Sequence, residues 1–303
     1  MTQNPVRLIK PMRFPVRPLR DKWPAKLQQR APQYFWADPS VVADPDATAE
    51  QFRLAMPAFA VGDTIKITGT RRHPAADRLL LDHVDLSTAC ILDVGASDGS
   101  TSVDLIEQMP AFASYTIADL YLFVSLATVG RRRFFYSPDG ECFLVVGPRF
   151  LAWPSQSALI RLWYRPLLHR ATGTPPENVP LVNPRARDLA AADTRVSFAV
   201  HDVFTPWSGD RPDVIKVANL LRRDYFLDDR LRVAMTALLS SLDEGGHLLL
   251  VNNPRIKGVP CAGGLYRRQD GRFERVAATD HLPDVDDLVL AATAPTVQGD
   301  AAR

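Results

Sequence analysis

The sequence predicts an α/β fold: a doubly wound, mostly parallel sheet of seven strands with an antiparallel edge strand, plus a β-hairpin/helix insertion. Three observations predict it. The apolar run Ala89-Cys90-Ile91-Leu92 ends in Asp93 and opens into a loop carrying Gly95 and Gly99, with helix-like Thr101 to Met109 directly behind. Strand, glycine loop and helix are how an open sheet admits a nucleotide-like ligand at the carboxyl end of a strand. Further apolar runs, Tyr115 to Ala118, Val196 to Val200, Asp213 to Ala218 and His247 to Val251, alternate with helical patterns. That alternation breaks only between residues 121 and about 180.

Taken in order, residues 1–60 read as a basic, Pro-rich N-terminal arm with a helix near Thr48 to Met56, where Ala49, Phe52 and Ala55 keep helical spacing and Pro57 stops it. Residues 61–303 read as the main domain. Leu79, Leu80, Leu81 and Val84 mark a helix over Pro74 to Val84 that leads into the first strand. After the glycine loop, Val103, Ile106 and Met109 form a helix face that Pro110 ends. In the insertion, Phe134-Phe135-Tyr136, the turn Ser137 to Gly140 and Cys142 to Val146 read as a hairpin. A helix over Ser157 to Arg170, kinked at Pro166, follows. Helices are then expected over Pro184 to Ala192 and Asp228 to Leu242, and an antiparallel edge pair from Phe273 to Ala277 and Leu288 to Ala292.

Composition is that of an ordinary soluble chain: 303 residues, 46% hydrophobic and 23% charged, net charge +2. So small a net charge argues against a nucleic-acid field. The basic groups are uneven, however: Arg7, Lys10, Arg13, Arg17, Arg20, Lys22, Lys26 and Arg30 face only Asp21 in the first 30 residues. Cys90, Cys142 and Cys261 fit no metal spacing, which points to a reducing, cytoplasmic setting. No apolar run is long enough for a membrane span.

The loop spacing is Asp93-x-Gly95-x-x-x-Gly99, not the G-x-G-x-x-G of dinucleotide folds. It resembles the first motif of the class I, Rossmann-like S-adenosylmethionine-dependent methyltransferases. Asp119 ends the second strand, where an acid binds ribose hydroxyls in nucleotide folds. His201-Asp202-Val203-Phe204 resembles the family's adenine station, and Asp213 to Leu221 its fourth strand. Asp243-Glu244-Gly245-Gly246 resembles its L-x-P-G-G turn without the proline.

The resemblance implies S-adenosylmethionine as cofactor and S-adenosylhomocysteine as product. It implies that Asp93 holds the glycine loop and that Gly95, Ala96, Ser97 and Gly99 line the amino-acid end of the cofactor. Asp98 either meets the methionine ammonium or caps the following helix, with the cap preferred. Asp119 and Leu120 belong to the ribose, Asp202 and Val203 with His201 to the adenine, and Asn219 and Leu220 to the methionine end.

For catalysis the chain offers only weak candidates beyond the fourth and fifth strands: Asn219, Arg223, Asp224, Tyr225 and Asn253. Amides rather than carboxylates at these strand ends speak against a metal. The insertion is expected to build the acceptor side. With Arg131-Arg132-Arg133 and the basic arm, it suits an oxygen or nitrogen of a small-molecule or glycan-like, anionic acceptor. Trp163 and its neighbouring leucines read as core or homodimer contact in preference to a membrane-surface helix. The alternatives are a protein or RNA acceptor on the same fold, a nicotinamide-dependent oxidoreductase, and a catalytically silent cofactor-binding module.

Overall fold

The computed structural model describes residues 14–61, 64–65, 72–171, 173, 175–253 and 260–294. Arg7, Lys10 and Arg13 of the basic arm lie outside the described residues. Along the chain run β1 (Val16–Pro18), α1 (Ala25–Arg30), α2 (Ala49–Ala55), β2 (Ala60–Val61), β3 (Thr64–Ile65), α3 (Pro74–His83), β4 (Cys90–Val94), α4 (Ser100–Ile106) and β5 (Ser114–Asp119). They are followed by β6 (Phe123–Val129), β7 (Arg132–Tyr136), β8 (Cys142–Val146), β9 (Phe150–Ala152), α5 (Ala158–Ala171), β10 (Glu177–Pro180) and α6 (Pro184–Ala192). The last stretch holds β11 (Val196–Val200), β12 (Val214–Ala218), α7 (Asp228–Ser241), β13 (His247–Asn252), β14 (Ala262–Gln269), β15 (Arg272–Ala278) and α8 (Asp286–Leu290).

The chain divides into two units, Gly69–Leu120 with Asp188–Arg303, and Met1–Thr68 with Tyr121–Arg187. The first holds a seven-stranded sheet in the order β11-β5-β4-β12-β13-β14-β15. Its strands run parallel from β11 to β13, and β14 is antiparallel to both its neighbours. The two faces of β4 and β12 are built differently. Leu92, Val94, Ile215 and Val217 join Leu231, Met235 and Leu238 of α7 in an apolar core. The opposite face carries Asp93 and Lys216, met by Ser102 of α4 and Asp77 of α3.

The expected edge pair is corrected here. Phe273 to Ala277 lies in a strand, but Leu288 to Ala292 does not: α8 covers Asp286–Leu290. Asp286 and Asp287 sit in its first turn, where carboxylates favour a helix N-terminus. The partner of β15 is β14, so the antiparallel strand lies one place in and the edge strand itself runs with the central ones. Gly263 in β14 lets α3 come close, since a Cβ there would stand 2.9 Å from that of Ala76.

The second unit holds a six-stranded, wholly antiparallel sheet, β1-β9-β8-β7-β6-β10. The expected hairpin is its β7–β8 pair, extended by three strands of the insertion and by β1 from the N-terminal region. The same region supplies α2, fixed by a capping box in which Thr48 Oγ1 accepts from Gln51 N at 3.2 Å and Gln51 Oε1 from Thr48 N at 2.9 Å. Phe52, Met56 and Phe59 pack with Phe135, Phe143 and Trp153 in one core. In α5, Ile160, Tyr164, Leu167 and Leu168 pack inward. Leu159, Leu162 and Trp163 are exposed, Trp163 by 80%, so the core reading of that tryptophan is replaced by a solvent-facing one.

Candidate functional site

The site grows from the turn after β4. Gly95, Ser97 and Gly99 all adopt positive φ, +70°, +60° and +80°. For the glycines this costs nothing; for Ser97 it is strained backbone that its surroundings must hold. Two contacts do so. Gly95 N and Ala96 N both donate to Ala118 O, at 2.8 and 3.1 Å. Ser97 N donates to Asp119 Oδ2 at 2.9 Å. A Cβ on Gly95 would lie 2.5 Å from Cδ2 of Leu220, so the loop packs directly on the residue after Asn219. Four residues named from the sequence, Gly95, Ser97, Asp119 and Leu220, therefore meet in one place.

Asp93 is the tie below that loop. It is 1% exposed, and its Oδ2 accepts from Ser102 Oγ and Tyr115 Oη, each at 2.8 Å. It thereby joins β4 to α4 and to β5. Burial pushes its carboxyl above the usual range, against the pull of nearby Lys216. Lys216 faces it across the parallel ladder and pairs with Asp77. Sequence reasoning missed both partners; the available signal was a lysine in mid-strand, in Val-Ile-Lys-Val-Ala.

Asp98 stands one residue before Gly99, the N-cap of α4, and closes a turn onto the first helical residue. Its Oδ1 accepts from Ser100 N at 3.0 Å and its Oδ2 from Ser100 Oγ at 2.9 Å. At the next station, Asp202 closes its own turn: Oδ1 accepts from Phe204 N at 3.0 Å, and its carbonyl from Thr205 N and Oγ1. Val203 buries its side chain in the apolar core. The His201 ring stands edge-on to Trp207, and its backbone N donates to Asp119 O at 3.3 Å. Leu120 is 41% exposed.

At the carboxyl ends of β12 and β13 the structure assembles a polar cluster. Asn219, itself at φ +59°, accepts at Oδ1 from the backbone N of Asn253, 2.6 Å away. A backbone N–H only donates, so this contact fixes the amide orientation. Asn219 Nδ2 therefore donates to His73 Nε2 at 2.8 Å and to Asn253 Oδ1 at 3.1 Å. Asn253 Nδ2 donates to Arg72 O, and Arg222 Nη1 donates to Asn253 O at 2.8 Å. His73 is 2% exposed, and burial, then the charges of Lys216 and Arg72, push its pKa down to about 2. Sequence reasoning found Asn219 and Asn253 but not Arg72, His73 or Arg222, whose meeting is wholly tertiary.

Of the other acceptor-side candidates, Arg223 is placed away from this cluster, while Asp224 and Tyr225 border it. Arg223 is held by Asp228 at 3.0 Å and by Asp287 at 2.8 Å, with its backbone N on Asp284, and so clamps α7 and α8. Asp224 stands 3.9 Å from Arg222 and is half exposed. The phenol of Tyr225 acts electrostatically on Arg72. Asn252 is spent on Asp284 Oδ1, at 2.6 Å. Among the described residues no group of three or more His, Cys, Asp or Glu is arranged to hold a metal ion, and no helix is long and apolar enough to cross a membrane.

A run of parallel strands whose first opens into a glycine loop, bound to the acid that ends the second, is the arrangement by which open α/β sheets receive a nucleotide-like ligand. No family model matches the chain, and no curated protein matches it. Among solved structures it is similar to magnesium protoporphyrin IX methyltransferase from Synechocystis with bound SAH, at 14% identity and a TM-score of 0.33, over 61% of this chain and 56% of that one. It is also similar to an amino pentose methyltransferase of calicheamicin biosynthesis from Micromonospora echinaspora with bound SAM, at 20% identity and a TM-score of 0.29, over 66% of this chain and 58% of that one. A third is an O-methyltransferase from neocarzinostatin biosynthesis in complex with SAH and 1,4-dihydroxy-2-naphthoic acid, at 16% identity and a TM-score of 0.30, over 59% of this chain and 38% of that one. In each case the match spans less than two thirds of the other protein's length.

Proposed function

We propose that this protein is an S-adenosylmethionine-dependent methyltransferase acting on an oxygen or nitrogen of a small-molecule or glycan-like acceptor. The observation that carries the reading is the Ser97–Asp119 hydrogen bond. It holds an acid, 9% exposed, against the glycine loop at the place where nucleotide folds bind ribose hydroxyls. The D-x-G-x-x-x-G spacing favours a sulfonium nucleoside over a dinucleotide. The bound cofactor supplies an activated methyl group. The chain contributes the strained loop that receives its amino-acid end, the carboxylate of Asp119, and an acceptor side that aligns the nucleophile.

The residues at the ends of β12 and β13 suit alignment better than proton removal. Asn219 and Asn253 are amides, and His73 is held neutral with Nε2 already accepting a hydrogen bond. The same observation favours, as a second reading, a cofactor-binding module without turnover. Residues 121–180 are proposed to serve the acceptor, because the chain leaves the seven-stranded unit at Leu120, one residue beyond Asp119. The test is ligand-induced stabilisation. S-adenosylhomocysteine is expected to raise the melting temperature and NAD(H) to leave it unchanged; the reverse result removes the methyltransferase reading. Methyl transfer from labelled S-adenosylmethionine to fractions of cell extract then separates an enzyme from a silent module.

A further inference from the structure

We propose that the outward face of α5 docks on an anionic lipid bilayer, with Leu159, Leu162, Trp163 and Pro166 entering the interface and Arg165 and Arg170 meeting the headgroups. The inference is independent of the methyltransferase reading, because it concerns the six-stranded unit alone. Side chains three and four residues apart share one face of a helix. In α5 that rule separates two apolar stripes. Ile160, Tyr164, Leu167 and Leu168 pack inward beside Phe134 and Val145. Residues 159, 162, 163 and 166 share the other side, where Leu159, Leu162 and Trp163 are 79%, 64% and 80% exposed. Large apolar residues scattered singly on a surface are ordinary, but three within little more than one turn form a patch that marks an interaction site.

The charges say what covers it. From Ala158 to Ala171 the helix carries Arg161, Arg165, His169 and Arg170 and no acid. Arg161 leans back on Pro154 O at 3.4 Å and on Glu141 at 3.8 Å. Arg165 and Arg170 are exposed, and their side chains make no hydrogen bond or ion pair among the described residues. Arg132, which begins β7, acts on the Tyr164 phenol and so adds a cation near the helix. Val16 packs against the same core as Ile160 and Tyr164, so the chain enters beside this layer. The thirteen residues before Phe14 contain Arg7, Lys10 and Arg13 and again no acid. A second copy of the chain would set this basic face against itself, and like charges repel. A protein partner would need a pocket for each projecting side chain. A bilayer is deformable, its interface takes up Trp and Leu, and phosphatidylserine supplies charge of the opposite sign. Arginine stems on the flank of such a helix extend their guanidinium groups among the headgroups.

The experiment floats the full chain with phosphatidylcholine vesicles, with and without phosphatidylserine, and follows tryptophan emission. Binding is expected on vesicles that contain phosphatidylserine, to be weak on phosphatidylcholine alone, and to fall as salt is raised. Arg165→Gln with Arg170→Gln is expected to weaken partition about thirtyfold, the worth of two basic residues at a charged surface. Trp163→Gln is expected to weaken it about tenfold and to remove the blue shift of emission on binding. Both variants change exposed side chains, so their melting temperatures should match the wild type. A wild type that does not bind anionic vesicles overturns the proposal. So does binding that neither variant reduces, because another basic surface is then responsible. A wild-type dimer that Trp163→Gln disperses overturns it by showing a second copy on this face. Equal affinity for soluble polyglutamate and for the vesicles overturns it by assigning the face to an acidic protein.

Discussion

Lys216 Nζ and Asp77 Oδ1 stand 2.9 Å apart between β12 and α3, and neither side chain is more than 4% exposed. Burial alone would lower the lysine's pKa, but Asp77 and Asp93 together raise it above the ordinary value. Removing one member of such a pair leaves a charge with nowhere to go, at a cost of about 3–5 kcal/mol. Asp77→Ala is therefore expected to lose that much in urea denaturation. The double change Asp77→Leu with Lys216→Met is expected to recover most of it, since an apolar pair of like volume avoids desolvation. A loss under about 1 kcal/mol for Asp77→Ala would show that Asp93 alone suffices for Lys216.

His73 sets a pH dependence. Its folded pKa is pushed down to about 2, from an ordinary value of 6.5. The unfolded chain therefore takes up a proton below 6.5 that the folded chain refuses. Stability from this group is complete above that pH and falls as the pH is lowered, by about 1.4 kcal/mol per unit. His201 and His247 are shifted the same way by burial, so the informative quantity is wild type minus His73→Gln. That difference is expected to shrink steadily from pH 6.5 to 4.5; a flat difference would place His73 in solvent.

Asp119→Ala is expected to weaken S-adenosylhomocysteine by about 1–3 kcal/mol, through unpaired ribose hydroxyls and a released Ser97 N–H. Asp119→Asn keeps one acceptor for Ser97 and should lose less. Equal affinity in all three proteins, read by calorimetry, would detach this acid from the nucleoside.

Gly95→Ala faces two separate obstacles. A φ of +70° costs an alanine about 1–2 kcal/mol, and the new methyl group meets Leu220 Cδ2 at 2.5 Å. Adding Leu220→Ala removes the second obstacle only. Thermal denaturation of the double variant should therefore fall short of Leu220→Ala alone by about the backbone penalty; full recovery would mean the loop relaxes out of positive φ.

The glycine loop and β5, β12 and β13 were legible because buried parallel strands write themselves as apolar runs with a marked end, and the edge strand β11, largely uncovered, still shows as the apolar-rich Val196 to Val200. What was lost is equally physical. The three-residue β9 is too short for a period to show, and β14 carries Gly263 and Gly264 directly after its first residue, Ala262, with no strand signal. Leu288-Val289-Leu290 fits a strand as well as a helix, and it is the preceding aspartates, favoured in a helix's first turn, that decide it. The cofactor loop is local and could be read as a word. The His73 cluster draws on residues 72–73, 219–222 and 253, and no window of sequence contains it.

The way the two units share the chain also bears on synthesis. Residues 14–61 must wait for 121–180 before β1 can find β9, while β5 must wait for β11 across the whole of that second stretch. Yet β6 and β10, the first and last strands of the excursion, pair with each other, and Leu181 N donates to Leu122 O at 2.7 Å. Once that pair closes, the distance along the chain that separates β5 from β11 no longer counts as an open loop. The excursion pays its own closure entropy, so a nascent chain that has made its antiparallel sheet meets the last strands of the parallel one almost as if they followed directly.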